Sequence, residues 1–423
     1  MTGPEKRMDQ GGCQDPYGAA LGACTGRRGF VYNPCMSVIS SSAELADLCG
    51  RLAQAPFVTV DTEFIRESTF WPRLCLVQVA APEPADAVAI DALAEGLELG
   101  PLLELMAAPG VLKVFHSARQ DIEIFYQLSG RVPAPLFDTQ LAAMVCGFGD
   151  SAAYETLVKK LVGKQVDKAS RFTDWARRPL SERQIRYALG DVTHLRGIYE
   201  KLAARLAETG RSHWLDDEMA LLSDPLIYQM PPEAAWQRIK TRSTNPRMLG
   251  ILREAAGWRE SEAQRRDVPR NRVVRDEALL EIAAHPPADP NELKRIRAFP
   301  RGLAEGAAGA QLLQAVARGK ALSEDQLPRR ERPPQLPRGA GPLVDLLKVL
   351  LKMKCEEHGV AQKLVANSSD LERIAIDDEA PVAALAGWRR EVFGADALRL
   401  KRGELALGAV GNGICAVELL QSE

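Results

Sequence analysis

The sequence predicts an α/β domain, a mixed sheet flanked by helices, followed by two all-α helical domains. Three observations carry this expectation. Between residues 37 and 227, short β-branched runs of strand length alternate with helical patterns, which is the signature of a layered α/β domain. From Ser181 onward the chain is almost wholly helical. A Pro/Arg/Gly-rich stretch, LPRRERPPQLPRGAGP, divides the helical remainder into two blocks and reads as a linker. The expected division is a disordered N-terminal extension over 1–36, the α/β domain over 37–227, a helical domain over 228–322, a linker over 323–341 and a second helical domain over 342–423.

The elements follow in order. Ser41 or Ser42 caps a helix through AELADLCGRLAQA. FVTVDTEF and LCLVQVA are β-rich runs with residues 69–72 as the turn region between them, so they read as consecutive antiparallel strands. VAIDAL is a short strand and PLLELMAAP a helix; LKVFHS is a strand and ARQDIEIFYQLSG a helix ended by Gly130. PLFDTQLAAMVCGF supplies a further short strand and helix. SERQIRYALGDVTHLRGIYEKLAARLAETG is one long helix, with Ser181 and Gln184 matching a capping box and Leu180 and Ile185 placed for a hydrophobic staple. The next block holds several short helices punctuated by Pro231, Pro232, Pro246, Pro269, Pro286, Pro287, Pro290 and Pro300. DLLKVLLKMKCEEHGV has apolar residues at helical spacing and opens the last block. Leu252, Trp258 and Arg259 in the first block are echoed by Leu385, Trp388 and Arg389 in the second.

Composition narrows the function classes. The 423 residues are 46% hydrophobic, enough for substantial cores. The formal net charge is -2, so any nucleic-acid surface is a local patch rather than a global property. Eight cysteines, Cys13, Cys24, Cys35, Cys49, Cys75, Cys146, Cys355 and Cys415, form no CxxC pair; they read as reduced structural thiols of a cytoplasmic protein. No apolar stretch reaches the roughly 18 residues that span a bilayer, so no membrane role is expected. The N-terminus lacks the apolar core of a signal peptide, and Met36 opens MSVISSSAELADLC as a natural domain start where translation could also begin. No GxxxxGK[ST] phosphate loop occurs, so no nucleoside triphosphate is expected as a partner.

Three local signals could carry chemistry. Asp61 and Glu63 alternate within a strand and project from the same side. Two like charges there call for a divalent cation, unless both acids simply face solvent. Asp121 falls in the first turn of a helix, where a carboxylate also has the ordinary role of complementing the helix dipole. Tyr187 and Asp191 stand at i and i+4 on the long helix and share a face, which also suits a plain Tyr–Asp surface hydrogen bond. In isolation each signal has its bland alternative.

Taken together, Asp61-x-Glu63, Asp121 and Tyr187-x-x-x-Asp191 resemble the three exonuclease motifs of the DEDD superfamily in its tyrosine-bearing branch. VDTEFIRESTFWPRLCLVQVA, VFHSARQDIEIF and RPLSERQIRYALGDVTHL are similar to the three motifs of the ribonuclease D family in particular. The first helical block resembles an HRDC domain through Trp236, Leu249, Leu252, Trp258, Arg259, Asp267-Val-Pro-Arg-Asn271, Leu279, Ile282 and Pro286, and the second resembles it more loosely. The resemblance implies a ribonuclease H-like fold for the α/β domain. It also implies 3′→5′ exoribonuclease activity that releases 5′-mononucleotides, with two divalent metal ions, Mg²⁺ or Mn²⁺, as cofactors. Asp61 would bridge both ions, Glu63 and Asp191 would complete one ligand set, Asp121 would hold the other ion through water, and Tyr187 would orient the attacking water. His116 and Gln120 become candidates for touching the sugar or phosphate of the terminal nucleotide, with a structural imidazole as the alternative for His116; Phe64 becomes a candidate for base stacking. The cations and aromatics of Lys168, Arg171, Trp175, Arg177 and Arg178 are candidates for tracking the substrate backbone, or for anchoring a loop. Arg238, Lys240, Arg242, Arg247, Arg265, Arg266, Arg270, Arg272 and Arg275 supply a cationic cluster for phosphates. The expected partner is RNA, in particular transfer RNA precursors with free single-stranded 3′ ends. The competing readings are the same chemistry on DNA and an RNA-binding scaffold without turnover.

Overall fold

In the computed structural model, the described residues are 38–85, 87–166, 173–330 and 336–419. The extension assigned to 1–36, with Cys13, Cys24 and Cys35, lies outside them, as do Lys168, Arg171 and part of the linker.

Six strands form one sheet in the order β1-β4-β3-β2-β5-β6. They are β1 (Val38–Ile39), β2 (Phe57–Ile65), β3 (Arg73–Ala80), β4 (Ala87–Ile90), β5 (Leu112–Phe115) and β6 (Leu136–Asp138). β2, β3 and β4 make the expected antiparallel meander. β5 joins β2 in parallel, as β6 joins β5 and β1 joins β4, so the sheet is mixed. β2 is therefore central and nine residues long, and its apolar Phe57, Val58 and Val60 are buried. This rigid strand is the one that carries Asp61 and Glu63.

Helices cover both faces. α1 (Ser42–Leu52) starts at Ser41, whose side chain accepts from the Glu44 N–H. α2 (Gly100–Ala107) and α3 (Arg119–Ser129) follow, and α3 stops at Gly130 in the left-handed region at φ 70°. α4 (Thr139–Val145) is capped by Asp138, α5 (Tyr154–Leu157) is a single turn, and α6 (Glu182–Glu208) carries the expected capping box of Ser181 and Gln184. α6 is pinned across the sheet. Thr59 Oγ1 donates to the Val192 carbonyl at 2.9 Å, and Arg196 donates to the carbonyls of Ala81 at 2.9 Å and Ala85 at 2.7 Å. Buried Lys113 of β5 is consumed structurally, its Nζ donating to the carbonyls of Ala108, Val111 and Ala134 at 2.7, 2.7 and 2.5 Å.

The first helical unit is built around α8 (Pro246–Arg266), which follows α7 (Asp216–Ser223) and is capped by Asn245 with Pro246 in its first turn. It grips the α/β domain through the β2–β3 loop. Phe70 is 3% exposed and lies in the core of this helical unit. The backbone N–H groups of Phe70 and Trp71 both donate to Asp267 Oδ1 at 3.0 Å, and the Arg270 guanidinium stacks 4.5 Å from the Phe70 ring.

The second helical unit instead shares a continuous core with the α/β domain. Trp388 stacks on Trp214 with ring centroids 4.2 Å apart, and buried Arg389 bridges to Asp217 and Glu218, both at 2.7 Å. Gly147, at φ 79°, approaches so closely that a Cβ there would stand 2.6 Å from the Gly359 carbonyl oxygen. This unit is not wholly helical, as the sequence reading had it. It ends in an antiparallel hairpin of β7 (Leu405–Val410) and β8 (Gly413–Glu418), turning at Gly411 and Asn412. No helix among the described residues is long and apolar enough to cross a membrane.

The Phe70 anchor yields a prediction. Phe70→Ala should cost roughly 3 kcal/mol, the low end for a buried phenylalanine, and loosen the first helical unit from the sheet. Urea unfolding should show the loss, and limited proteolysis should release the helical unit faster than in the parent; an unchanged proteolytic pattern would refute the anchoring role.

Candidate active site

A cleft of about 690 Å³ opens beside the end of β2 and is lined by Asp61, Glu63, Phe64, His116, Tyr154, Tyr187 and Asp191 among others. The pleat puts Asp61 and Glu63 on the face beneath α6, and α6 supplies Asp191 from above. One carboxylate oxygen each of Asp61, Glu63 and Asp191 lies within 4.8 Å of the others. Asp121 reaches the same charge cluster from the other face. It is 8% exposed, on the first turn of α3, and it accepts from Thr62 Oγ1 at 2.5 Å. Thr62, between the two acids on β2, thus ties the fourth carboxylate to the strand.

Burial and mutual repulsion dominate the electrostatics. Burial raises Asp61 from 3.8 to about 6, against a backbone hydrogen bond from Thr62 that lowers it. Burial, then the charges of Asp61, Asp191 and Asp121, push Glu63 from 4.5 to about 10. Burial, then Asp61, raise Asp191 from 3.8 to about 8 despite the Tyr187 hydroxyl bonded to it. Asp121 is likewise held well above its ordinary value, first by burial and then by Asp61. Four acids in this state bind protons unless something positive replaces them. The donor set is all oxygen, which suits a hard divalent cation.

Around the acids, Tyr187 packs against buried Trp175 with centroids 6.1 Å apart. Burial and Asp191 raise its phenol, so it stays protonated near neutral pH. Tyr154, which sequence reasoning missed, donates from its hydroxyl to the Asp191 carbonyl and lines the cleft. Its motif, SAAYETL, carries no local signal; only the fold brings it to α6. Asp138 was also missed. It accepts from the N–H groups of Ser117 at 3.1 Å and Ala118 at 2.8 Å, fixing the turn in which Ser117 adopts φ 61°.

The substrate-contact candidates divide. His116 lines the cleft, with Nδ1 3.0 Å from Thr139 Oγ1. Phe64 lines it too, at the end of β2, where the pairing with β3 shifts register past Cys75. Gln120, one position before inward-facing Asp121 on α3, is exposed and is not among the residues lining the cleft, whereas Gln140 is. Within the segment before α6, Trp175 and Arg178 are anchors. Arg178 Nε and Nη2 donate to the two Asp91 oxygens at 2.7 and 2.5 Å, and Nη2 also donates to the Cys75 carbonyl at 2.9 Å. The cationic cluster divides as well. Arg270 pairs with buried Glu260, Arg265 and Arg266 with Glu262, and Arg247 with Glu324, while Lys240, Arg242, Arg272 and Arg275 are exposed.

Sheet, acid cluster and tyrosine together define an α/β domain of the nuclease class, whose carboxylates could hold a metal ion. The family model for 3′-5′ exonuclease matches residues 36–207, and that for the HRDC domain matches 248–316. Ribonuclease D of Nitrobacter hamburgensis is 51% identical over 383 residues, covering 90% of this chain and 100% of the relative. Ribonuclease D of Granulibacter bethesdensis is 53% identical over 385 residues, covering 90% and 96%. The crystal structure of Escherichia coli RNase D superposes with a TM-score of 0.72 at 30% identity, covering 87% of this chain and 98% of that one. The chain belongs to the ribonuclease D family, and it is a 3′→5′ exoribonuclease.

The raised carboxyls make a prediction about the metal-free protein. An acid whose folded-state pKa exceeds its unfolded value holds its proton more tightly when folded, so stability is greatest below the unfolded value and falls as pH rises toward the folded one. With Asp61 raised to about 6, Asp191 to about 8 and Glu63 to about 10, the melting temperature in EDTA should decline steadily from about pH 4 to pH 9. Mg²⁺ or Mn²⁺ should reverse the decline, with a gain that grows with pH because cations displace protons. Scanning calorimetry across this range checks it; a cation-induced gain independent of pH would contradict the raised carboxyls.

Proposed function

We propose that Asp61, Glu63, Asp121 and Asp191 hold two divalent metal ions, Mg²⁺ or Mn²⁺, and that the enzyme trims the 3′ ends of transfer RNA precursors one 5′-mononucleotide at a time. The observation that carries this is the convergence of Asp61, Glu63 and Asp191 within 4.8 Å, with Asp121 tied in through Thr62. When bound, such ions activate water and stabilise the departing 3′ oxygen. The chain's own residues do the rest. Asp61, Glu63 and Asp191 present oxygens from two rigid elements, and Asp121 adds its charge from α3. Tyr187, kept protonated with its hydroxyl hydrogen given to Asp191, offers its oxygen as an acceptor that orients the attacking water rather than abstracting a proton from it. Tyr154 fixes the turn of α6 that carries Asp191. His116 and Phe64 form the wall that meets the terminal nucleotide, and Gln120 stands outside it.

The choice of transfer RNA precursors is supported by the family and by the E. coli relative, described as an exoribonuclease involved in structured RNA processing. Lys240, Arg242, Arg272 and Arg275, exposed on the first helical unit, suit the phosphates of a folded RNA body. We also read 37–227, 228–322 and 342–423 as separate domains, a division favoured by the distinct core around α8. A cytoplasmic location fits the free thiols of Cys49, Cys75, Cys146 and Cys355.

Two variants and one substrate pair test the reading. Asp61→Asn should lower turnover by at least about a hundredfold while RNA binding, followed by fluorescence anisotropy, persists. Tyr187→Phe should slow single turnovers by about a hundredfold without lowering the melting temperature; an unaltered rate would exclude water orientation. A transfer RNA precursor with a 3′ trailer should be shortened faster than an unstructured RNA of equal length, and equal rates would remove the substrate assignment.

A further inference from the structure

We infer that His116 accepts a hydrogen bond from the ribose 2′-hydroxyl of the 3′-terminal nucleotide, and so makes this cleft prefer RNA to DNA. The inference rests on the nuclease reading above and goes further in assigning which atom of the protein reads the sugar.

A histidine ring nitrogen donates or accepts according to the tautomer, and here a relay fixes the tautomer. Thr139 opens α4, and its hydroxyl donates to the Phe115 carbonyl at 3.0 Å. A hydroxyl has one hydrogen. With that hydrogen given to Phe115, Thr139 Oγ1 can only accept from His116 Nδ1, 3.0 Å away. Nδ1 therefore carries the ring hydrogen. Burial lowers the His116 pKa, outweighing the nearby Asp138 carboxylate, so the ring is neutral at neutral pH. That leaves Nε2 with a lone pair and no hydrogen. The ring is also held still: Asp138 binds the two N–H groups that follow it, and the ring packs against Tyr154 with centroids 5.3 Å apart.

An acceptor beside four carboxylates does not suit a phosphate, which offers only acceptors. It suits a donor on the substrate. An exonuclease meets every base in turn, so the donor must be common to all four nucleotides, which leaves the sugar hydroxyls. The 3′-hydroxyl is shared by RNA and DNA; the 2′-hydroxyl is the group that tells them apart. A site built to accept from a hydroxyl penalises a substrate that lacks it, because the acceptor is then desolvated without a partner.

The experiment uses the full chain with Mn²⁺ and RNA strands identical except in the 3′-terminal nucleotide: ribose, 2′-deoxy, 2′-fluoro and 3′-deoxy. Fluorine cannot donate. The parent should remove the ribonucleotide about tenfold faster than the 2′-deoxy and 2′-fluoro versions, as for one neutral hydrogen bond. In His116→Phe, which keeps a ring against Tyr154, that ratio should shrink to less than about twofold. Thr139→Val, which breaks the relay, should compress the same ratio, and ¹⁵N NMR should show ring hydrogen appearing on His116 Nε2. A parent indifferent to the 2′ group overturns the inference. So does an equal loss on all four strands in His116→Phe, or a penalty confined to the 3′-deoxy strand. A parent that shortens no strand sinks the nuclease reading itself, and the sugar assignment with it.

Discussion

The structure depends on holding four carboxylates together where they repel. With Asp61, Glu63 and Asp191 within 4.8 Å of one another and an effective dielectric near 20, each ionised pair among these three costs at least about 3 kcal/mol. A flexible scaffold would relax by spreading the acids apart. This one cannot, because β2 is locked between β3 and β5 and α6 is bonded to the sheet through Thr59 and Arg196. The segment before α6 is clamped by Arg178 on Asp91. The rigidity lies in neutral and paired contacts outside the cleft, which leaves the acids to be balanced by protons or by cations.

What was legible in the sequence was periodic. Alternation along β2 put Asp61 and Glu63 on one side, and the i, i+4 spacing put Tyr187 with Asp191; both hold in the structure. The capping box of Ser181 and Gln184 set the start of α6. What escaped depends on contacts between distant segments. Tyr154 reaches Asp191 across 37 positions, and Arg178 reaches Asp91 across 87. The register shift past Cys75 in the β2–β3 pairing leaves no local mark. The closing hairpin is different. Gly411 and Asn412 between two apolar runs are a recognisable turn signal, hidden by the helical texture of what precedes them.

The paired Trp-Arg echo shows how similar residues can serve unlike contacts. Arg259 is buried and binds within its own unit, to the Val274 carbonyl and Asp276. Arg389 is equally buried but reaches Asp217 and Glu218 of the α/β domain. One arginine organises a helical unit; the other mounts a unit on the nuclease. The first unit is mounted instead through Phe70, a few residues past Glu63, so the loop that leaves the strand bearing Asp61 and Glu63 also positions the cationic helices. Arg66 and Glu67 extend that connection, since they line both the cleft and the cavity of about 480 Å³ shared with Arg238 and Arg270.

The acid end of the cleft follows from the same constraint. Asp61, Glu63, Asp191 and His116 line the space where an RNA end would lie, and the Tyr187 hydroxyl is already committed to Asp191. Without cations this end repels phosphate and holds protons instead. Cation binding at the acids would therefore govern two things at once: whether the backbone can approach, and whether the bond can be cut. The exposed cations of the first helical unit and the acid cluster thus lie in different parts of the molecule, joined by the loop that bears Phe70.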